Sequence, residues 1–133
     1  MNDYVHATGI IIENDKGEML LLLRNKQNPE GETWGLVGGK VTENEDPVDS
    51  TIGKIQQEIG VKIEAQDLMF IRTFYWNRTD IKLKFDVFKV RKNISNIQLN
   101  KDGHTDFMWI SPKDAVLRKD LMIGLYEILK FLL

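Results

Sequence analysis

The chain has 133 residues, of which 42% are hydrophobic, and its 18 basic and 20 acidic side chains give a formal net charge of −2. A chain of this length and composition buries one sizeable core, which predicts a single domain over residues 1–133. The small net charge offers no electrostatic attraction for nucleic acid or for an anionic membrane, so neither is expected as a partner. Cysteine is absent, which excludes disulfides and thiolate metal sites.

The N-terminal residues MNDYVHATG contain no basic region followed by an apolar run, so they do not predict a signal peptide. No apolar run approaches the roughly 20 residues that a membrane-spanning helix needs. Together with the absence of cysteine, which suits a reducing compartment, these features favour a cytoplasmic location.

Two strands are predicted near the N-terminus. Residues 4–13 are rich in β-branched side chains, residues 14–17 (NDKG) suit a tight turn, and residues 19–23 (MLLLL) follow. The run MLLLL does not alternate between apolar and polar residues, which indicates a strand buried on both faces. Helices are therefore expected on both sides of the sheet.

A capped amphipathic helix is predicted over residues 46–60. Asp46 can cap its N-terminus, Pro47 suits its first turn, and Gly60 is a typical stop. An apolar stripe recurs at spacings of four, three and four residues, and its members are Val48, Ile52, Ile55 and Ile59. The opposite face carries Lys54, Gln57 and Glu58.

Residues 39–61 resemble the signature of the Nudix hydrolase family, G-x5-E-x7-R-E-U-x-E-E-x-G-U, in which U is aliphatic. The matching residues are Gly39, Glu45, Ile55, Glu58, Gly60 and Val61. Residues 33–40 (TWGLVGGK) resemble the W-x-L-P-G-G-K segment that leads into the family signature. Residues 102–111 (DGHTDFMWIS) are similar to D-E-H-x-D-x-x-W-V-S, a segment found before the last strand in many members.

The resemblance implies an α/β fold, specifically the Nudix-type α/β/α sandwich with a mixed β-sheet. It also implies hydrolysis of a nucleoside diphosphate linked to another moiety, with magnesium or manganese as cofactor and a small nucleotide-like molecule as ligand. Glu58 and the backbone carbonyl of Gly38 would contact the metal. Apart from the resemblance, Arg24, in the polar loop over residues 24–32, is a candidate for substrate contact. Trp76, near a hairpin tip, could stack a nucleobase, although aromatic residues on a hairpin more often serve packing or a surface contact.

The chain departs from the family at three carboxylate positions, where it has Lys54, Gln57 and Gly103. Residues at i, i+3 and i+4 of a helix share one face, so carboxylates at positions 54, 57 and 58 would form a hard-oxygen metal site. A unit charge about 5 Å from a divalent ion contributes roughly 6 kcal/mol at an effective dielectric of about 20, and Lys54 reverses the sign of that contribution. Metal binding and hydrolysis are therefore predicted to be weak or lost, which leaves Glu58 as a vestigial catalytic residue.

Two alternatives stay open. Lys54 and Glu58 could form a simple surface ion pair at i,i+4. The chain could also be an active magnesium-dependent nucleotide pyrophosphohydrolase with a rearranged metal site. The acidic residues available for such a displaced site are Glu43, Glu45, Asp46 and Asp49.

A short strand over residues 62–64 and a long hairpin are predicted after the helix. The arms of the hairpin cover residues 67–77 and 81–91, around a turn at residues 77–80. Apolar and charged residues alternate in the second arm, which predicts one apolar and one charged face. His6 and His104 are expected to be solvated or structural.

Two helices are predicted at the C-terminal end. The first is a short helix over residues 112–116, with Ser111 as its N-terminal cap, and the second covers residues 119–133. The apolar side of the second helix should pack on the sheet opposite the signature helix. Apolar surface left exposed there could support a homodimer.

Overall fold

The computed structural model describes residues 4–77, 79–80 and 82–133. Its strands are β1 (Val5–Glu13), β2 (Met19–Arg24), β3 (Trp34–Gly35), β4 (Val37–Lys40), β5 (Met69–Asn77), β6 (Lys82–Arg91) and β7 (His104–Ile110). Its helices are α1 (Pro47–Ile59), α2 (Pro112–Ala115) and α3 (Leu125–Leu132), and a 3-10 turn covers Ala65–Asp67. Among the described residues, no helix is long and apolar enough to cross a membrane.

One mixed sheet contains the seven strands of the described residues. Its main path runs β3-β2-β1-β6-β5, with β4 paired to β1 and β7 paired to β2. Strands β1 and β6 run parallel, whereas the other paired strands run antiparallel. The predicted mixed sheet is therefore confirmed.

The sheet opens between β1 and β2. The two strands pair at Glu13 and Met19, next to their turn, and away from the turn each takes a different partner. Strand β4 pairs with β1 over residues 7–10, and β3 pairs with β2 at Leu22 and Leu23. The short segment that carries β3 and β4 therefore lies across the opening.

Hydrophobic side chains form two cores, one on each face of the sheet. Helix α1 packs on the first core through Ile55 and Ile59, and α3 packs on the second through Ile128 and Leu129. Residues 19–22 are fully buried and belong to both cores, since the leucines at 20 and 22 face α1 and the residues at 19 and 21 face α3. The predicted strand with two buried faces, and the helix layer on each side of it, are confirmed.

The ends of α1 are those that its sequence predicts. Asp46 Oδ1 accepts hydrogen bonds from the N–H groups of Val48 at 2.8 Å and Asp49 at 3.3 Å. Gly60 has a φ of 71°, and its N–H donates to the Gln56 carbonyl at 3.0 Å. These two caps fix the register that turns the isoleucine stripe toward the first core.

The second arm of the hairpin, β6, is buried on both faces, so the prediction of one charged face is wrong. Asp86 is only 6% exposed and accepts hydrogen bonds from His6 Nε2 at 2.6 Å and Thr73 Oγ1 at 2.5 Å. Phe88 and Val90 are buried in the first core. The physical reason is that a core covers each face of β6, since Phe88 and Val90 belong to the first core and Val87 to the second. His6 was predicted to be either solvated or structural, and its hydrogen bond to Asp86 gives it a structural role.

Residues 62–64 do not form the predicted strand. Val61 and Ile63 are 8% and 2% exposed and belong to the first core, whereas Lys62 and Glu64 are exposed. This alternation of buried and exposed side chains resembles that of a strand. None of the described strands pairs with this segment, so its backbone stays irregular. In the hairpin that follows, Arg78 of the predicted turn and Ile81 of the predicted second arm lie outside the described residues.

The predicted helix over residues 119–133 starts later, as α3. The N–H of Trp34 donates to the Asp120 carbonyl at 2.8 Å, and the N–H of Met122 donates to the Trp34 carbonyl at 2.9 Å. This segment therefore satisfies the backbone groups of β3 rather than its own helical ones. Gly124, with a φ of 89°, then turns the chain into α3.

The segment over residues 102–111 contributes β7, so it forms the last strand rather than preceding it. At its end Ser111 caps α2 as predicted, because its Oγ accepts a hydrogen bond from the Asp114 N–H at 3.2 Å.

Replacement of Gly53 by alanine should stabilise the domain by about 0.5–1 kcal/mol, because alanine loses less backbone entropy in a helix. A Cβ at this position meets nothing within 4 Å. Urea unfolding measures the difference. Gly60→Ala is the matched control and should destabilise, since Gly60 has a φ of +71° and its Cβ would lie 3.2 Å from Gln98. A loss of stability in Gly53→Ala would contradict the observed register of α1.

Candidate functional site

A cavity of about 570 Å³ lies beside the opening of the sheet, between α1, α3 and the loops that flank them. Its wall contains each residue assigned to the site from the sequence. These are Arg24, Gly38, Lys54, Gln57, Glu58, Trp76 and Gly103. Residues that are far apart in the chain therefore share one cleft.

The loop before β7 brings Gly103 to this cleft by closing over the C-terminal end of α1. The N–H groups of Gln98 and Asn100 donate to the carbonyls of Ile59 and Glu58, each at 3.0 Å. These bonds satisfy carbonyls that a helix end leaves without an intrahelical partner. The loop after β2 joins the same assembly, because its residue 25 donates a backbone hydrogen bond to the Gly103 carbonyl at 2.9 Å.

Glu58 lies half-buried at the centre of the polar end of the cleft. Its Oε1 accepts a hydrogen bond from the Gly38 N–H at 3.1 Å. Burial raises the pKa of Glu58 from 4.5 to about 7, against the opposing effects of this hydrogen bond and of the positive charges on Lys54 and Arg24. The carboxyl therefore keeps its proton to a higher pH than an exposed glutamate does.

Lys54 lies one helical turn before Glu58 and extends along Gly39. Its Cδ and Cε atoms are each 3.1 Å from the point that a Cβ of residue 39 would occupy, so the lysine stem would have to shift slightly if residue 39 had a side chain. Within the described residues, Lys54 and Glu58 do not form the i,i+4 ion pair that was one alternative from the sequence. The helix instead directs Lys54 across the glycine and into the wall of the cleft.

The side chains of the cleft do not fit a divalent metal ion. Magnesium binds several oxygen ligands, usually carboxylates and waters, whereas the cleft has two carboxyl side chains, Glu30 and Glu58, beside three cationic ones, Arg24, Lys40 and Lys54. Glu30 already accepts a hydrogen bond from the Ile123 N–H at 3.0 Å. The described residues contain no cluster of three or more acidic or histidine side chains that could hold a metal. Glu45 and Asp46, considered for a displaced site, bond to the backbone N–H groups of residues 42 and 48.

His104, which the sequence predicted to be solvated or structural, is a buried member of the wall and is therefore not solvated. It is 7% exposed, and its Nδ1 is buried without a hydrogen-bond partner among the described residues. Burial, followed by the positive charge of Arg24, lowers the pKa of His104, so the ring is neutral at neutral pH. A buried nitrogen without a partner is uncommon, and one in a cleft wall can pair with a ligand.

The other end of the cleft is apolar. Strand register places Val5, Leu83 and Trp76 in one row across β1, β6 and β5, with Ala7 and Phe85 in the next row. Trp76 is held by the stacked Phe74 ring, with 6.0 Å between the ring centroids, and by close packing against Gly124, which precedes α3. The facing wall consists of Met122, Ile123, Leu125 and Ile128.

The cleft thus has a cationic end and an apolar end. The cationic end suits an anionic group, and the apolar end suits a ring or a hydrocarbon group of the same molecule. Of the apolar residues, the sequence singled out only Trp76, because the others reach the cleft through strand pairing, through the irregular segment before α3 and through α3 itself.

The folded chain should become less stable as the pH rises. Between pH 4.5 and about 7 the folded chain keeps the Glu58 proton that the unfolded chain has released. The contribution of Glu58 to the free energy of unfolding is therefore fully present below pH 4.5 and is lost as the pH rises through about 7, by roughly 3 kcal/mol in total. Urea unfolding of wild type and Glu58→Gln over this range measures it. If the difference between the two proteins does not vary with pH, the carboxyl titrates normally and the burial argument is wrong.

The NUDIX domain family model matches residues 3–132. No curated protein matches the chain. The chain is similar to the structure of a MutT protein from Methanosarcina mazei Go1, with 21% identity, a TM-score of 0.81 and coverage of 96% of this chain and 91% of that one. It is also similar to a MutT NUDIX hydrolase from Burkholderia pseudomallei (24% identity, TM-score 0.80, coverage 97% and 98%). A third similar structure is the NUDIX domain of Shewanella oneidensis NrtR complexed with ADP ribose, with 15% identity, a TM-score of 0.79 and coverage of 98% of this chain and 86% of that one. These similarities confirm the Nudix fold, and because the family model spans nearly all of the sequence, this chain belongs to the Nudix family.

Proposed function

We propose that this Nudix domain binds a nucleotide-like diphosphate ligand and hydrolyses it weakly or not at all. The observation that carries the proposal is the composition of the cleft's polar end, where Lys54 and Gln57 stand beside Glu58 on one face of α1. A magnesium-dependent hydrolase needs several ionised carboxylates at this point. The vestigial Glu58 and the Gly38 carbonyl alone are a poor ligand set.

Ligand binding is supported by the shape and chemistry of the same cleft. Arg24 supplies a fixed cation that can contact phosphate oxygens, and Trp76 supplies an aromatic wall for the rest of the molecule. The similar domain from Shewanella oneidensis was solved with ADP ribose, which is a diphosphate of this general type. An anionic small molecule accounts for both ends of the cleft.

Two further proposals concern the setting of the protein. We place it in the cytoplasm, as its composition favours. We also propose a homodimer through α3, where Tyr126, Phe131 and Leu133 leave apolar surface exposed by 49%, 47% and 63%.

A panel of nucleoside triphosphates, dinucleotides and nucleotide sugars should show little magnesium-dependent release of phosphate or nucleotide. At least one member should raise the melting temperature in the presence of EDTA, because a ligand that binds only the folded state stabilises it. Magnesium-dependent turnover that disappears in Glu58→Gln would show instead that the site is catalytic and that the metal is held by a rearranged set of ligands.

The double variant Lys54→Glu, Gln57→Glu should gain a magnesium site, since three carboxylates would then share one face of α1. Without metal it should melt at a lower temperature than wild type, because adjacent carboxylates repel, and magnesium should reverse this loss. Gly103→Glu can be added to restore the third carboxylate for hydrolysis. A side chain has room there, because the nearest atom to a Cβ at residue 103 would be the Asn100 carbonyl oxygen at 4.0 Å. Strong magnesium stabilisation of wild type, with nothing added by the variant, would contradict the impaired site.

A further inference from the structure

The cationic end of the cleft contains the side chains of Lys54 and Arg24. Lys54 comes from α1 and Arg24 from the end of β2, and both act electrostatically on the Glu58 carboxyl. Both also line the cleft. Two elements that are distant in sequence therefore direct positive charge to one place.

We propose that Lys54, together with Arg24, replaces a bound metal ion as the positive charge that holds the ligand's diphosphate, so that binding needs no metal. This inference rests on the proposed function and names the residues of its anion subsite. Two fixed unit charges supply the formal charge of one divalent ion, but they belong to the protein and cannot be removed by a chelator.

The position of Lys54 is built into the backbone. Gly39 leaves room for the lysine stem, whose Cδ and Cε lie 3.1 Å from the missing Cβ position. The adjoining Gly38 is itself required for packing, since a Cβ there would overlap the Thr8 carbonyl oxygen of β1. The double glycine therefore lets β4 approach β1 and lets Lys54 pass over it toward the cleft.

The position of Arg24 is also restrained. Its Nε donates to the Pro29 carbonyl at 2.5 Å, which anchors one edge of the guanidinium group to the following loop. A guanidinium group presents five N–H donors in a planar arrangement that matches phosphate oxygens. An anchored Arg24 thus loses little conformational freedom when it binds an anion.

His104 provides an independent observation that points to a ligand. Its Nδ1 is buried in the wall of the cleft without a partner among the described residues, although buried polar atoms are generally hydrogen-bonded. A neutral imidazole can donate one N–H to a phosphate oxygen without adding charge. His104 lines the same cleft as Arg24 and Lys54, so its imidazole is one more polar group beside the proposed anion subsite.

Calorimetric titration of the full chain with inorganic pyrophosphate, in excess EDTA, tests the inference. Wild type should bind. Lys54→Gln should bind at least about tenfold more weakly, as expected when one charge-assisted contact is lost, and Lys54→Arg should restore most of the affinity. Lys62→Gln is the matched control, because it removes the same charge from an exposed position outside the cleft and should bind as wild type does.

Three results would overturn the inference: wild type does not bind pyrophosphate in EDTA, Lys54→Gln binds as tightly as wild type, or Lys62→Gln weakens binding as much as Lys54→Gln does. Melting temperatures establish that each variant is folded. These outcomes are separable from failure of the proposed function, which would appear as magnesium-dependent turnover of the nucleotide panel. Chelator-resistant nucleotide binding that is unchanged in Lys54→Gln would retain the proposed function and remove only the role of Lys54.

Discussion

The close approach of β4 to β1 at Gly38 is the constraint on which the site depends. No side chain larger than hydrogen fits there, because a Cβ would overlap the Thr8 carbonyl oxygen. This contact places the Gly38 N–H where the Glu58 carboxyl accepts it at 3.1 Å. It also places Gly39 under Lys54, so the same backbone segment positions both the remaining carboxyl and the cation that stands beside it.

The domain keeps the family scaffold while the electrostatics of its cleft are altered. Caps, the isoleucine stripe and the glycine pair hold α1 against the sheet, and none of these depends on a metal ion. The face of α1 toward the cleft can therefore exchange carboxylates for Lys54 and Gln57 without loss of the fold. Fold membership and catalytic chemistry are separate properties here, because packing determines the first and a few charges determine the second.

Backbone hydrogen bonds from the loops to α1 and β3 fix the shape of the cleft. The loop before β7 closes on α1 through Gln98 and Asn100, and the segment before α3 closes on β3 through Asp120 and Met122. Both segments are irregular, yet both satisfy backbone groups that would otherwise be exposed at the end of a helix or strand. They also supply wall residues at both the polar and the apolar end.

Local patterns in the sequence determined α1, with its Asp46 and Gly60 caps, and the strand with two buried faces over residues 19–22. They also placed Lys54, Gln57 and Glu58 on one face of α1, because helix periodicity puts neighbouring positions on one side. Such features depend on residues close in the chain, so they are visible without the fold.

Tertiary structure alone decided the burial of Asp86, the irregular backbone over residues 62–64 and the late start of α3. Each of these depends on a partner that is distant in the sequence, such as His6 for Asp86 or Trp34 for the segment before α3. The raised pKa of Glu58 and the unpartnered nitrogen of His104 also follow from burial. Burial is a property of the assembled chain, and periodicity cannot report which polar group the fold will enclose.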